Sequence, residues 1–283
     1  MSSLFDFDAV PDLYAVMGNP IAHSKSPQIH AAFAEQTGQR LRYIAILVEP
    51  GGFPSAVGNF RAEGGKGLNV TVPFKHEAWR AATERTPRAE RAGAVNTLAF
   101  RADGTVFGDT TDGVGLVRDI ADNHGGRLAG ARILLLGAGG AVRGVIEALC
   151  ERGPEQVFIA NRTVDRAQDL AADFAVLGRL AAGGYEALAG RQFDLVINGT
   201  SASLQGELPP LPPGILAPGG WCYDMVYGSR PTPFVEWGRA QGAVKSVDGI
   251  GMLVEQAAES FFIWRGVRPQ TAPVIARLRG AGL

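Results

Sequence analysis

The run Ile133-Leu-Leu-Leu-Gly137-Ala-Gly139-Gly140-Ala-Val-Arg143 constrains this chain more than any other stretch of it. Its first half is apolar without interruption, the pattern of a strand covered on both faces. Its second half is a glycine turn that opens a helix. A strand covered on both faces needs helices above and below its sheet, so the run predicts a parallel, doubly wound α/β unit. In such a unit Gly137 permits the tight turn and Gly139 lets the backbone approach a pyrophosphate. A helix beginning near residue 140 points free N–H groups and its positive end at the phosphates. Gly137, Ala138, Gly139, Gly140 and Ala141 are therefore the candidate phosphate cradle. The third position of the fingerprint holds Val142, where Gly or Ala usually lets the helix close on the strand.

The next apolar run, Gln156-Val-Phe-Ile-Ala160, ends in Asn161-Arg162-Thr163. A unit that takes NAD places Asp or Glu about 20 residues beyond the glycine loop, to bond the ribose 2′-hydroxyl. Here the first carboxylate is Asp165, while Arg162 and Arg166 stand four residues apart at a helix start, on one side of it. Thr163 adds a hydroxyl and suits a helix cap. Guanidinium forks match a 2′-phosphate through paired charge-assisted bonds. The pattern predicts NADP(H); the plainer alternative is a pair of solvated arginines.

At 283 residues, length alone suggests about two domains. Upstream of the glycine run, Leu13–Met17 reads as a strand ended by Gly18-Asn-Pro20. A helix follows with Ser26 as N-cap, Pro27 at its first position and Gly38 at its end. Then come a strand at Tyr43–Val48, a helix at Pro50–Ala62 closed by Gly64-Gly65, a strand at Gly67–Val72 and a helix from Pro73-Phe74-Lys75. Thr97–Phe100 and Thr105–Phe107 flank Asp103-Gly104 as a hairpin. After a helix near 113–123 a second series gives strands at 132–136, 157–160, 193–198 and 221–225, with a helix at 163–175. A long helix near 250–265 carries Met252, Leu253, Gln256, Ala257, Ser260, Phe261 and Trp264 on one side. The second sheet is finished before this helix, which is expected to cross back. The predicted fold is α/β with two domains: an N-terminal, mainly parallel α/β/α substrate domain (1–111) and a Rossmann-like NADP-binding domain (112–248), with C-terminal helices (249–283) returning to the first. Two crossings, near 111 and 248, predict a cleft that closes by hinge motion.

Charge excludes some partners. With a net charge of -1 there is no basic field for nucleic acid or an anionic membrane. No run of about 18 apolar residues predicts a membrane span. Met1–Pro11 carries Asp6 and Asp8 without an apolar core, so it does not read as a secretory signal, and the cytoplasm is expected. Cys150 and Cys222 sit far apart in apolar contexts and read as core residues. His23, His30, His76 and His124 lack metal-ligand spacing, so no metal site is expected; His23, beside a serine-rich loop, is the one worth locating.

Several polar residues interrupt the apolar elements of the first half. In an extended segment Ser24 and Ser26 would face the same way and grip a carboxylate or a diol; Ser26 reads equally well as a plain N-cap. Asn69, Thr71 and Lys75 fall at a strand end and helix start, where α/β proteins bind ligands. Asn96 and Asp112 end two later segments. Taken singly, Lys75 is a solvated surface charge and Asp112-Gly113 a helix cap.

In this order, GNPIAHSKSP, NVTVPFK, AGAVNTL, TDGVG, GAGGA, NRT, YDMVY and DGIGMLVEQAA run from Gly18 to Ala258. With them the chain resembles the shikimate dehydrogenases nearly end to end. The resemblance implies reversible, NADPH-dependent reduction of 3-dehydroshikimate to shikimate, in chorismate and aromatic amino-acid biosynthesis. It implies that Ser24 and Ser26 bind the substrate carboxylate and that Asn69, Thr71, Asn96 and Gln256 bond its hydroxyls. Lys75 and Asp112 would be the catalytic pair, Tyr227 and Gly249 would border substrate and nicotinamide, and Met225 and Thr200 would lie on the cofactor side. Lys75 as general acid with Asp112 orienting it is the expected assignment; the reverse also fits, since the pair would titrate as a unit. Two positions depart from the family pattern: Thr110 stands where Asn is usual, and Ser201-Ala-Ser-Leu replaces a stretch richer in Ser and Gly. A quinate/shikimate dehydrogenase with relaxed cofactor choice and a catalytically silent NADP-binding sensor are the alternatives, as monomer or homodimer. The arginines argue against the first, and the presence of both Lys75 and Asp112 against the second.

Overall fold

The computed structural model describes residues 10–280; most of Met1–Pro11, the segment that does not read as a secretory signal, lies outside the described residues. All described strands fall into two six-stranded sheets. The first is built from β1 (Asp12–Gly18), α1 (Ser26–Thr37), β2 (Leu41–Leu47), α2 (Phe53–Ala62), β3 (Gly65–Val70), α3 (Lys75–Ala81), β4 (Glu84–Arg85), α4 (Pro87–Ala92), β5 (Thr97–Phe100) and β6 (Val106–Asp109), and α5 (Asp112–Arg118) leaves it. Its strand order is β2-β1-β3-β5-β6-β4. β1 pairs parallel with β2 and β3, and β4 with β6, while the hairpin strand β5 runs antiparallel to both neighbours. At the hairpin tip Gly104 has φ 90°, a conformation that a side chain disfavours.

Local chemistry corrects several expected boundaries. Ser26 is the first helical residue of α1, not its N-cap; the cap is Lys25, whose φ and ψ of -87° and -6° also break the extended run assumed between the two serines. Pro27 is tolerated one position further in because the N–H it lacks would have no partner in the first turn. α2 begins at Phe53 because Gly51, at φ 82°, turns the chain before it. Asp112 is likewise inside α5, with Thr111 as N-cap. Its carboxylate is therefore not spent on capping. Thr163 occupies the N-cap of the helix Val164–Asp173 without making a side-chain cap bond.

The second sheet comprises β7 (Arg132–Leu136), α6 (Gly140–Arg143), α7 (Ile146–Glu151), β8 (Gln156–Ala160), α8 (Val164–Asp173), β9 (Leu180–Gly183), β10 (Phe193–Asn198), β11 (Leu216–Asp224), α9 (Pro233–Ala240) and β12 (Lys245–Val247). Every pairing is parallel, in the order β12-β11-β10-β7-β8-β9. The chain starts at the centre with β7, winds outward to β9, then returns to lay β10 on the other side. The crevice between the carboxyl ends of β7 and β10 is the switch point at which such sheets bind ligands.

The irregular fingerprint position is resolved in that crevice. Val142 is fully buried, and the room that Gly or Ala would have left comes from the opposite side: a Cβ at Gly199, just past β10, would lie 2.4 Å from Val142 Cγ2. Here the glycine stands at the strand end and the larger side chain in the helix.

α10 (Ile250–Arg265) and α11 (Ala272–Gly280) complete the chain. Ile250, Val254, Ala257, Ala258 and Phe261 of α10 share a buried cluster with Ile29 and Phe33 of α1 and with Val274 and Leu278 of α11. The C-terminal helices thus return to the first sheet. α5 crosses α10 almost backbone to backbone: a Cβ at Gly115 would lie 2.8 Å from both the Gln256 backbone N and the Met252 carbonyl oxygen. Cys150 and Cys222 are free thiols, one half-buried and one buried; burial pushes them up to about 11 and about 12. No helix among the described residues is long and apolar enough to cross a membrane.

The exchange of space between Val142 and Gly199 is testable by denaturant unfolding. Gly199→Ala is expected to cost about 1–3 kcal/mol through overpacking, and to cost clearly less in a Val142→Ala background. Equal losses in both backgrounds would mean that the two positions do not share the space.

Candidate active site

A cavity of about 310 Å³ opens at the carboxyl ends of β1 and β3, walled on its far side by the segment after β11 and the first turns of α10. Ser24, Ser26, Asn69, Thr71, Lys75, Asn96, Asp112, Met225, Tyr227, Gly249 and Gln256 all line it, so the catalytic and substrate-side residues singled out in the sequence come together in one place. His23 also lines it, as do the apolar Val16, Ile21, Met252 and Leu253.

Lys75 and Asp112 arrive from different elements. Lys75 opens α3, held by the fully buried Phe74 behind it, and Asp112 opens α5. Lys75 Nζ donates to Asp112 Oδ2 at 2.5 Å, with the two side chains 20% and 11% exposed. The other carboxylate oxygen, Oδ1, accepts from Asn96 Nδ2 at 2.9 Å. Thr111 N donates to Asn96 Oδ1, also at 2.9 Å, so one amide fixes both the backbone and the carboxylate. Upstream, the buried Asp109 holds the end of β6 through two bonds from Arg88, at 2.7 and 2.5 Å. Asp112 also faces the second sheet: a Cβ at Gly144, between α6 and α7, would lie 3.3 Å from its Oδ2.

Behind this pair lies a cluster of neutral hydrogen-bonding groups. Asn69 Nδ2 donates to Ser260 Oγ at 2.9 Å, and Tyr43 OH donates to Asn69 Oδ1 at 2.8 Å. Ser260 Oγ also lies 2.8 Å from Thr97 Oγ1 and donates to Gln256 O at 3.0 Å. Gln256 turns its Oε1 to Asn96 Nδ2 at 3.3 Å and its Nε2 to Leu253 O at 2.8 Å. Tyr43, Thr97, Thr111 and Ser260 were not among the expected site residues. The one sequence signal for them was Ser260, a hydroxyl on the otherwise apolar side of α10 beside Gln256.

The serines sit as a turn, not a strand. Ser26 N donates to Ser24 Oγ at 3.3 Å. Thr71 fits against the chain at Gly18, where a Cβ would lie 2.3 Å from its Cγ2.

The expected cofactor residues do not line this cavity, apart from Met225 and Gly249; they lie at the carboxyl ends of β7, β8 and β10. Gly137 has φ 102° and donates its N–H to Ala160 O at 2.8 Å. Gly139 and Gly140 are exposed, and a Cβ on either would meet no atom within 4 Å. Thr200 is brought to Gly137, whose Cβ would lie 3.2 Å from Thr200 Cγ2. Asn161 Nδ2 donates to Thr163 O at 2.9 Å, while Arg162 and Arg166 are exposed and take no part in the ion pairs among the described residues. The two regions meet at Met225. A Cβ at Gly199 would lie 3.2 Å from its Sδ, and one at Gly249 would lie 2.4 Å from its carbonyl oxygen. Among the described residues no group of His, Cys, Asp and Glu has the arrangement of a metal site.

Known proteins resemble the chain over nearly its whole length. Three family models match: the shikimate dehydrogenase substrate binding domain over residues 16–98, shikimate / quinate 5-dehydrogenase over 119–205, and the shikimate 5'-dehydrogenase C-terminal domain over 249–279. The chain is 65% identical over 268 residues to shikimate dehydrogenase (NADP(+)) of Alkalilimnicola ehrlichii, covering 95% of this chain and 98% of that one. It is 59% identical over 270 residues to the enzyme of the same name from Nitrosococcus oceani, covering 95% and 96%. Among solved structures, shikimate 5-dehydrogenase from Thermus thermophilus in complex with NADP(H) and shikimate superimposes with a TM-score of 0.85 at 33% identity, covering 95% of this chain and 99% of that one.

One buried group behind the cavity gives the fold a pH dependence. His30, fully buried, stacks on Tyr43 with ring centroids 4.2 Å apart. Burial, outweighing the Asn69 side chain, pushes its imidazole down from 6.5 to about 3. The unfolded chain therefore binds a proton that the folded chain refuses, and stability falls as pH drops from 6.5 towards 3. In urea unfolding, wild type is expected to lose about 1.4 kcal/mol per pH unit more than His30→Phe across this window. Parallel stability curves would contradict it.

Proposed function

The chain belongs to the shikimate dehydrogenase family, and from that premise we propose that it reduces 3-dehydroshikimate reversibly to shikimate with NADPH. The observation that carries this reading is the Lys75–Asp112 pair, 2.5 Å apart in a cavity lined with hydroxyls and amides and backed by the glycine-turn helix. Ketone reduction needs a hydride on carbon and a proton on oxygen. NADPH supplies the first when bound. Lys75 supplies the proton, as a half-buried ammonium within reach of the cavity. Asp112 keeps that ammonium oriented and accepts from a substrate hydroxyl, while Asn96 keeps Asp112 in place. In the oxidative direction the pair takes the proton back.

The remaining roles follow the chemistry of the lining. Ser24 and Ser26 hold the substrate carboxylate; Asn69, Thr71, Asn96 and Gln256 bond its hydroxyls; Tyr227 closes the wall. Residues 1–111 act as the substrate domain and 112–248 as the cofactor domain, with 249–283 returned to the first. The chemistry of the second sheet supports the cofactor reading. Gly139 and Gly140 leave open backbone where a pyrophosphate needs it, and Ala138 and Ala141 flank them without bulk. Arg162 and Arg166, exposed and without ion-pair partners among the described residues, stand with Asn161 and Thr163 where a 2′-phosphate would lie. Thr200, Met225 and Gly249 connect that crevice to the cavity.

Absorbance at the NADPH band tests the reading, with shikimate or quinate and NADP or NAD as substrates. Turnover is expected with shikimate and NADP; NADP binding without turnover of any pair would overturn it in favour of a sensor. Lys75→Ala is expected to lower kcat by ~10²–10⁴ with a modest change in KM; an unchanged kcat with raised KM would make Lys75 a binder. Arg162→Ala is expected to weaken NADP by roughly 10–100-fold while leaving the KM for shikimate near wild type. Unchanged NADP affinity would remove Arg162 from the cofactor site.

A further inference from the structure

Asp224, in the YDMVY run, has no part in the mechanism above, yet it is fully buried at the end of β11, between the two halves of the site. Taking a carboxylate out of water is costly unless donors replace the water, and every donor it finds here is uncharged. Asn198 Nδ2 and Val226 N donate to Oδ1 at 3.0 and 3.1 Å. Ser203 Oγ and Thr232 Oγ1 donate to Oδ2 at 2.7 and 2.6 Å. No ion pair among the described residues includes it.

The four tethers lead to three places: Asn198 and Ser203, themselves joined by a bond from Asn198 Nδ2 to Ser203 Oγ at 3.2 Å, to the 200–203 loop, Val226 to the cavity wall and Thr232 to α9. Asn198 passes its grip on through its own Oδ1, which accepts from Thr200 N at 3.1 Å and from Thr200 Oγ1 at 2.7 Å. Ser203, three residues further along the same loop as Thr200, supplies its hydroxyl to the same carboxylate. Val226 N lies between Met225 and Tyr227, both on the cavity wall. Thr232 leads away from the site: its Oγ1 accepts from Val235 N at 3.2 Å and caps α9. One carboxylate therefore spans the gap between the loop on the glycine-turn side and the wall on the substrate side.

We propose that Asp224 is a positioning residue that sets the spacing between the 200–203 loop and the Met225–Tyr227 wall, and through it the approach of nicotinamide to substrate. The proposal rests on the functional reading above. The geometry separates a positioning role from a merely structural one, because Ser203 and Thr232 donate to the same oxygen but serve the site and α9 respectively.

The test compares Ser203→Ala, Thr232→Ala and Asp224→Asn with wild type. Three quantities are read: NADP+ affinity from protein fluorescence, kcat with shikimate, and the thermal unfolding midpoint. Ser203→Ala and Asp224→Asn are expected to weaken NADP+ and lower kcat by about tenfold or more, since small misplacements of reacting groups are expensive in rate. Ser203→Ala should do so with a midpoint near wild type. Thr232→Ala is expected to lower the midpoint with NADP+ affinity and kcat near wild type. Wild-type affinity and kcat in Ser203→Ala would overturn the proposal even if Asp224→Asn failed to fold, and so would a Thr232→Ala variant that lost affinity as Ser203→Ala does. Absence of turnover in the wild type would sink the functional reading alone, since the NADP+ titrations would still decide the role of Asp224.

Discussion

An ammonium and a carboxylate meeting at 2.5 Å where the two sheets face each other is the constraint on which the rest of this structure depends. Neither group is near the other in sequence. Lys75 is delivered by the turn from β3 into α3, Asp112 by the exit from β6 into α5, and Asn96, just before β5, ties Asp112 to the first sheet. Because Thr111 takes the cap position of α5, Asp112 keeps both oxygens for side chains. A cap role would have turned the carboxylate into the helix and left Lys75 a solvated cation.

The half-buried pair needs a polar lining that is itself satisfied, since unpaired groups at this depth are costly. The return of α10 provides it. Ser260 and Gln256 on that helix reach Asn69, Thr97 and Asn96 on the first sheet, and Gly115 lets α5 and α10 approach closely enough for these contacts. The same helix is capped by Gly249, which is pressed against Met225 where the crevice of the second sheet ends. One C-terminal element thereby binds the substrate wall to both sheets, which makes the order of chain elements a functional matter.

Much of this was legible in the sequence where a long pattern or a specific residue type carried it. Arg132–Leu136 and Ile250–Arg265 have the predicted limits, because an uninterrupted apolar run and a long one-sided stripe leave little choice. β9 and β12, of four and three residues, are too short to display a period and were not expected. The serine loop departs from the extended expectation because the fit of Pro27 within the first turn outweighs the bias against helix before proline. The tight turn at Gly137 is legible in its own run, but the need for Gly199 is not, since a clash with Val142 is a property of two distant segments and not of either one. Tyr43, Thr97 and Ser260 were silent for a related reason: neutral residues in regular elements reveal their bonds only once those elements are packed.

If Lys75 and Asp112 work as one unit, their removal must not be additive. The most direct measurement is the kcat cycle of Lys75→Ala, Asp112→Ala and the double variant with shikimate and NADP+. The double variant is expected to lose about as much as the worse single variant; losses that multiply would show two independent groups and contradict a shared role.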